Sequence, residues 1–321
     1  MRIVPKIKII GVGGAGGNAL TRMARFSRGA GPRFAGRISG VDLIAINTDV
    51  QDLKKTVANT KLRIGQEITR GLGTGMNPEI GRKAAEEQRG EIEAILEDSE
   101  MIFIAAGFGG GTGSGASPVV AEIAQSLGIL TIAVITKPFA FEGASRKAIA
   151  QQGIKNLQDR VDSLLLISND RLISLVEKNT PLTKAFFLAD EILHQAVTSI
   201  TDLILRPSLV TISFADVRTI LKKAGKAFFG QGWGRGQNRS QEASFKALNS
   251  PLLETSPEQA TRILFNISAR NLKLTEIDVV ANTLTRNILP ETKVIFGARE
   301  DERLKAEEMK VTLIATGFPR Q

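Results

Sequence analysis

The chain has 321 residues, enough for two domains with real cores, and 42% apolar and 23% charged residues are ordinary for a folded protein. It has no Cys and a single His, His194, which excludes disulfides, thiolate nucleophiles and zinc–thiolate sites and argues against a His-centred relay. No apolar run approaches the ~18 residues of a membrane span, and a net charge of +9 points to an anionic partner: nucleotide phosphate, acidic membrane or nucleic acid.

The charge is uneven. Residues 1–40 hold eight basic residues and no acidic one, and Lys222 to Lys246 carry a further +5. Met1 to Leu20 has a superficial likeness to a signal peptide, but Lys6 and Lys8 interrupt it and glycines follow. Lys6 to Val12 therefore reads as a buried strand, followed by the glycine cluster Gly11–Gly17 and a helix over Ala19–Phe26. Arg28–Gly40 reads as a loop and Val41–Ile46 as a second strand, ending in Asn47-Thr48-Asp49. Residues 65–78 form a glycine-punctuated loop, and Pro78–Leu96 shows the pattern of one amphipathic helix. Met101–Ala106 is a third strand, with Gly107–Gly115 as a loop and a helix opening at Pro118, where the missing N–H is harmless. Ile129–Ile135 and Ser163–Ile167 are further strands. Continuous apolar strands alternating with helices predict a parallel sheet covered on both faces, an α/β fold.

Thr183–Leu205 repeats apolar residues at helical spacing over 23 residues, a rod of roughly 35 Å that connects two domains and stops at Pro207. Beyond it the pattern predicts a strand over Leu209–Ser213, a helix over Asp216–Lys223 and a Gly-rich loop over Gly230–Gly236 holding Trp233. Strands follow over Arg262–Ile267, Thr292–Phe296 and Val311–Ala315, with a helix over Thr275–Asn287. The domains are accordingly 1–180, the connecting helix 181–206 and an α+β domain 207–321.

Gly11-Val-Gly13-Gly-Ala-Gly16 satisfies G-x-G-x-x-G between a strand and a helix, which turns backbone N–H groups towards a phosphate. Alone it suits a dinucleotide as well as a mononucleotide. The second loop, Gly107 to Gly115, has six glycines in nine positions and removes the Cβ atoms that would hold an anion off the backbone. Thr112 and Ser114 add hydroxyls that can donate or reach a Mg²⁺. Two such loops on adjacent strands would converge on one polyphosphate. No Lys-Ser/Thr pair follows the glycines of the second loop, so it is not a Walker A loop.

The segment GGGTGSG (Gly109–Gly115) looks like the tubulin signature GGGTG[ST]G. GVGGAGGNA (Gly11–Ala19), NTD (Asn47–Asp49), GLGTGMNPEIGRKAA (Gly71–Ala85), TKPFAFEG (Thr136–Gly143) and FADVRTI (Phe214–Ile220) follow in order. From about residue 6 to 317 the chain resembles the bacterial FtsZ family of tubulin-like cell-division GTPases. That resemblance implies a tubulin-like fold, GTP or GDP as ligand, and Mg²⁺ held mainly by phosphates and water, with no dedicated metal ligands. It also implies head-to-tail homopolymers, membrane-anchoring partner proteins and a cytoplasmic place at the division site.

By the same resemblance, Gly13, Gly14, Ala15, Gly16, Gly17 and Asn18 match the first phosphate and guanine-facing loop. Gly110, Gly111, Thr112 and Gly113 match the loop that wraps the phosphates, and Gly73 to Asn77, with Gly75 among them, the loop that senses the γ-phosphate. Glu142 matches the ribose contact, Arg146 a phosphate and ribose contact, and Asn169 and Phe186 the base pocket. The guanine-reading Asn-Asp pair is replaced by Asp190-Glu191. The hydrolysis loop, Asn-x-Asp-x-x-Asp in the family and inserted against the nucleotide of the next subunit, reads Thr211-Ile-Ser213-Phe-Ala-Asp216. Only Asp216 keeps a carboxylate there, so the expected activity is a slow GTPase. A GTP-bound filament former with negligible turnover is the near alternative.

The family usually carries a linker and a C-terminal peptide after its globular part. This sequence ends at Gln321, just beyond that part, whether by trimming or by natural lack of the peptide. The basic Arg22, Arg25, Arg28, Arg33 and Arg37 are expected to meet an anionic membrane directly. Two other readings compete. A dinucleotide oxidoreductase would use Asp49 as its ribose acid, but it leaves the second glycine loop unexplained. A nucleic-acid binder would lack stacking aromatics, so no nucleic-acid partner is expected.

Overall fold

The structure, a computed structural model, describes residues 5–26, 41–173, 181–206, 208–250 and 257–319. It divides into two compact units, residues 1–198 and 199–321.

In the first unit, β1 (Ile7–Val12), α1 (Gly13–Phe26), β2 (Val41–Asn47), α2 (Val50–Lys55) and β3 (Thr60–Arg63) come first, followed by α3 (Pro78–Glu87), α4 (Arg89–Leu96) and β4 (Met101–Gly107). Then come α5 (Gly111–Ser126), β5 (Leu130–Lys137), α6 (Ala144–Gln158), β6 (Ser163–Ser168) and α7 (Asn169–Ile173). The six strands form a parallel sheet in the order β3-β2-β1-β4-β5-β6. Every residue of β4 up to Ala106 is buried, as a strand covered on both faces must be. The chain winds outward from β1 to β3 and then returns to β4 on the other side of β1. That reversal places the carboxyl ends of β1 and β4 at the topological switch point, where such sheets open a crevice.

The long helix α8 (Leu182–Leu205) contains the division between the units, which falls after Thr198. The second unit continues with α9 (Phe214–Leu221), β7 (Gly225–Arg235), α10 (Arg239–Leu248), β8 (Arg262–Ala269), α11 (Leu274–Thr285), β9 (Lys293–Glu300) and β10 (Glu308–Thr316). Its strands run β7-β10-β8-β9, with β8 and β9 parallel and β10 antiparallel to both neighbours.

Five local expectations are corrected. The helix expected at Ala19 begins at Gly13, because its glycines let α1 press on β4: a Cβ on Gly16 would lie 2.4 Å from the Ala105 carbonyl. The helix expected at Pro118 begins at Gly111, so Pro118 lies inside α5. An interior proline costs about 3 kcal/mol, yet α5 is buried continuously from Gly113 to Ala121, and that packing overrides the lost bond. Pro78–Leu96 is two helices, because Gln88 (φ −102°, ψ 24°) leaves helical geometry and its Oε1 accepts from the Gly65 N–H at 2.5 Å. Leu209–Ser213 makes only a bridge, Val210 to Ala298, since Ser213 is already the N-cap of α9.

The expected loop Gly230–Gly236 is instead the second half of β7, up to Arg235. Gly230, Gly232 and Gly234 share one strand face. A Cβ on each would stand 1.9 Å from a carbonyl of α10, at Ala247, Ala243 and Arg239 respectively. The glycines are a flat bed for a helix. Read as turn residues, they concealed both the strand and its partner helix.

Candidate nucleotide site

A cleft of about 260 Å³ opens at the switch point. Its floor is the first turn of α1 (Gly13, Gly14, Ala15) and the cap and first turn of α5 (Gly110 to Gly113). The first turn of a helix leaves its N–H groups without intrahelical partners, and its dipole end favours negative charge. Two such ends at one cleft make a strong anion cradle. Gly13 (φ 73°) and Gly109 (φ 106°) take backbone conformations that L side chains rarely adopt, which fixes both turns as glycine positions.

Hydrogen bonds hold the loops in shape. Thr112 Oγ1 lies 2.7 Å from Thr48 Oγ1, and Ser114 Oγ accepts from the Gly109 N–H at 2.9 Å. Thr112 lines the cleft; buried Ser114 does not, so its hydroxyl serves the loop. Asp49 caps α2, accepting from the N–H groups of Gln51 and Asp52 at 2.7 and 3.0 Å. The acid required by a dinucleotide oxidoreductase is thus engaged in holding a helix.

At one side of the cleft, Arg146 on α6 pairs with Glu142, Nη1 to Oε2 at 2.7 Å, while Glu142 Oε1 accepts from the Phe139 N–H at 2.9 Å. Asn169, at the start of α7, is 6% exposed, and its Oδ1 has no hydrogen-bond partner. A buried orphan acceptor costs about 1–3 kcal/mol and calls for a donor. Asp190 on α8 is 9% exposed and bonds Arg22 of α1. Burial pushes its carboxyl up to about 6, against the opposing pull of the Arg22 guanidinium.

Of the residues expected at the site, the cleft gathers Gly13, Gly14, Ala15, Gly110, Gly111, Thr112, Gly113, Glu142, Arg146, Asn169 and Asp190. Gly16 and Gly17 lie outside its lining, packed on the Ala105 carbonyl and on Thr56; Asn18 is exposed on α1. Gly73 and Gly75 flank buried Thr74, which does line it. Glu191 turns along its own helix. Its Oε1 accepts from Gln195 Nε2 at 3.2 Å and lies 3.8 Å from His194 Nδ1, while Oε2 has no hydrogen bond. Burial raises the Glu191 carboxyl, but His194, Gln195 and the Arg22 guanidinium together outweigh it and hold it below the usual range. Phe186 belongs to α8, and its side chain is outside the described residues.

Sequence reading did not single out Thr74, Phe108, Thr136 or Pro138 as lining residues. All four sat inside recognised segments, Phe108 in the second glycine loop and Thr136 and Pro138 in TKPFAFEG, but none was itself assigned a place at the site. Arg22, expected to face a membrane, is drawn instead into the Asp190 pair. The Arg25 side chain, Arg28, Arg33 and Arg37 lie outside the described residues.

Thr211, Ser213 and Asp216 belong to the second unit. The Asp216 carboxylate takes the Ser213 N–H at 2.9 Å and the Ser213 Oγ–H at 2.6 Å, closing a capping box at the start of α9. Those bonds hold the Asp216 carboxyl below its ordinary value. Thr211 donates its hydroxyl to the Ser208 carbonyl at 3.2 Å.

Residues 6–177 match the Tubulin/FtsZ family, GTPase domain, and residues 225–319 match the FtsZ family, C-terminal domain. The chain is similar to the FtsZ of M. jannaschii, solved as an empty dimer, with 41% identity and a TM-score of 0.89 over 98% of this chain and 89% of that one. It also has the fold of CetZ2 from Haloferax volcanii, solved as a GTPγS-bound protofilament, with 22% identity and a TM-score of 0.82 over 98% and 94% of the two chains.

Proposed function

The chain belongs to the tubulin/FtsZ family and carries that family's GTPase domain, and from this premise we propose that it is a GTP-binding subunit of head-to-tail filaments that serve cell division in the cytoplasm. The observation that carries the reading is the cleft with two helix N-termini at one end and the orphan Asn169 acceptor in its wall. The helix ends suit a polyphosphate. The orphan acceptor suits a ring N–H of the base. Thr112 lines the phosphate end, where Mg²⁺, held by phosphates and water, would neutralise phosphate charge.

Self-assembly is supported by exposed apolar side chains in each unit. Leu72 (85% exposed) and Phe141 (59%) lie in segments next to cleft-lining residues; in the second unit Leu209 and Phe296 are exposed. Two different patches on one chain suit a heterologous contact, which generates filaments. The M. jannaschii dimer and the CetZ2 protofilament are assemblies of similar chains.

Hydrolysis would be slow. The proposed catalytic set is Asp216 with Thr211 and Ser213, presented to the nucleotide of the next subunit. Asp216 alone is a carboxylate, and its two bonds from Ser213 make it a weaker base. The test is phosphate release from GTP and Mg²⁺ across protein concentrations. Release per subunit should climb with concentration. Asp216→Asn, which keeps an acceptor for the capping box, should lower it by about 10²-fold. Release per subunit that stays flat, or survives the substitution, would overturn the shared site.

A further inference from the structure

The structure pairs Arg22 with Asp190, which lines the cleft, a contact that neither composition nor motif announced. Its Nε and Nη2 both reach Asp190 Oδ2 at 3.1 Å, and its guanidinium carbon lies 4.1 Å above the centre of the Phe187 ring. The two side chains of the pair are 24% and 12% exposed, so the contact is largely shielded from water. Arg22 lies nine residues after Gly13 on α1, about 13 Å along the axis. One helix therefore carries both the N-terminus at the cleft floor and the guanidinium that holds Asp190 in the cleft lining. Both Arg22 bonds fall on Oδ2, and neither uses Oδ1.

We propose that Arg22 is the positioning residue for base selection: it holds Asp190 as an oriented carboxylate whose Oδ1 accepts from the N–H edge of a 6-oxopurine. This rests on the nucleotide-binding reading above and adds to it the residue that sets selectivity. The chemistry is direct. A carboxylate accepts from guanine N1–H and its amino group but repels the N1 lone pair of adenine. A protonated carboxyl loses that discrimination. Phe187 fixes the guanidinium from its other face, by the attraction of a cation for an aromatic ring. The other charged groups on the cleft, Glu142 and Arg146, are paired with each other, and Glu191 on the same helix as Asp190 faces His194 and Gln195, its carboxyl also lowered by Arg22. Burial pushes the Asp190 carboxyl up to about 6, and Arg22 is the cation that works against that burial.

The test is equilibrium binding of GTP, ITP and ATP to the full chain from pH 5.5 to 8, for the wild type, Arg22→Met and Arg22→Lys, with thermal melting as a check on folding. Wild-type GTP affinity should fall as pH drops through about 6. In Arg22→Met that fall should move to higher pH, and the preference for GTP over ATP at pH 7 should shrink by about tenfold. Arg22→Lys should restore part of both. An Arg22→Met protein with an unmoved pH profile and full preference would overturn the inference and leave the nucleotide reading standing. Should Arg22→Met fail to fold, Arg22→Lys decides alone: an unchanged pH profile and preference would overturn the inference. A wild type that binds no guanine nucleotide would overturn both.

Discussion

Arg22–Asp190 in the first unit and Arg239–Glu276 in the second are both ion pairs largely shielded from water, and they are finished to different degrees. Arg239 (5% exposed) donates Nε and Nη2 to Glu276 at 2.6 and 2.9 Å; Nη1 and Nη2 also reach the carbonyls of Arg270, Ala306 and Asn271. That network ties α10 to α11 and to the chain before β10. Arg22 places both its bonds on one oxygen of Asp190, and Asn169 on the same cleft leaves Oδ1 with none. A saturated buried network fastens elements together. An unsaturated one costs stability in the free protein and leaves an acceptor open to a ligand.

The strongest way to break this contrast is Arg239→Met. Removing one partner of a buried pair strands the other, and the expected loss is about 3–5 kcal/mol, read by denaturant unfolding. A loss under about 1 kcal/mol would mean that the network is ornamental and the contrast false.

Asp301 provides the next test. Burial alone would raise its carboxyl, but the guanidiniums of Arg303 and Arg299 outweigh it and hold it at about 2. A depressed carboxyl contributes stability above its ordinary value, near 3.8, that is lost as pH falls through about 2. The amount is about 2 kcal/mol, absent in Asp301→Asn. Asp190 has the opposite sign: its raised carboxyl favours the fold at low pH, and that contribution disappears as pH rises through about 6. Asp190→Asn should therefore flatten the stability profile between pH 4 and pH 6. Equal slopes for wild type and variant would remove Asp190 from the comparison.

The smallest expected effect separates ligand from fold most cleanly. Asn169→Leu discards an acceptor that no protein group uses, so melting should hold steady or rise, while guanine-nucleotide affinity falls about tenfold. A lower melting temperature with unchanged affinity would make Asn169 a structural residue.

Much of this was legible beforehand. Continuous apolar strands between helices specified the parallel sheet, because a strand buried on both faces has no polar side to show. GGGTGSG and the loop from Gly11 located the glycine floor of the cleft, because only glycine leaves backbone N–H groups so open to an anion. Local pattern misled where a glycine served packing: Gly230, Gly232 and Gly234 read as a turn while they carried α10, and Gly16 read as loop while it sat under β4. It was also silent where function depends on a partner distant in sequence. Arg22 read as one more positive charge among eight, and Glu191 as an equal partner of Asp190.

Most strands, the family resemblance and the glycine floor of the cleft were readable along the chain, since each depends on spacings of a few residues within one segment, while α10 and half of β7 were not. Which charges meet was settled by packing in three dimensions. It turned Arg22 onto Asp190, 168 residues away, sent Glu191 to its own helix, and left Asn169 without a bond. Burial and pairing are properties of three-dimensional neighbours, and they fix the charge and direction of a side chain in ways that its position in the chain does not.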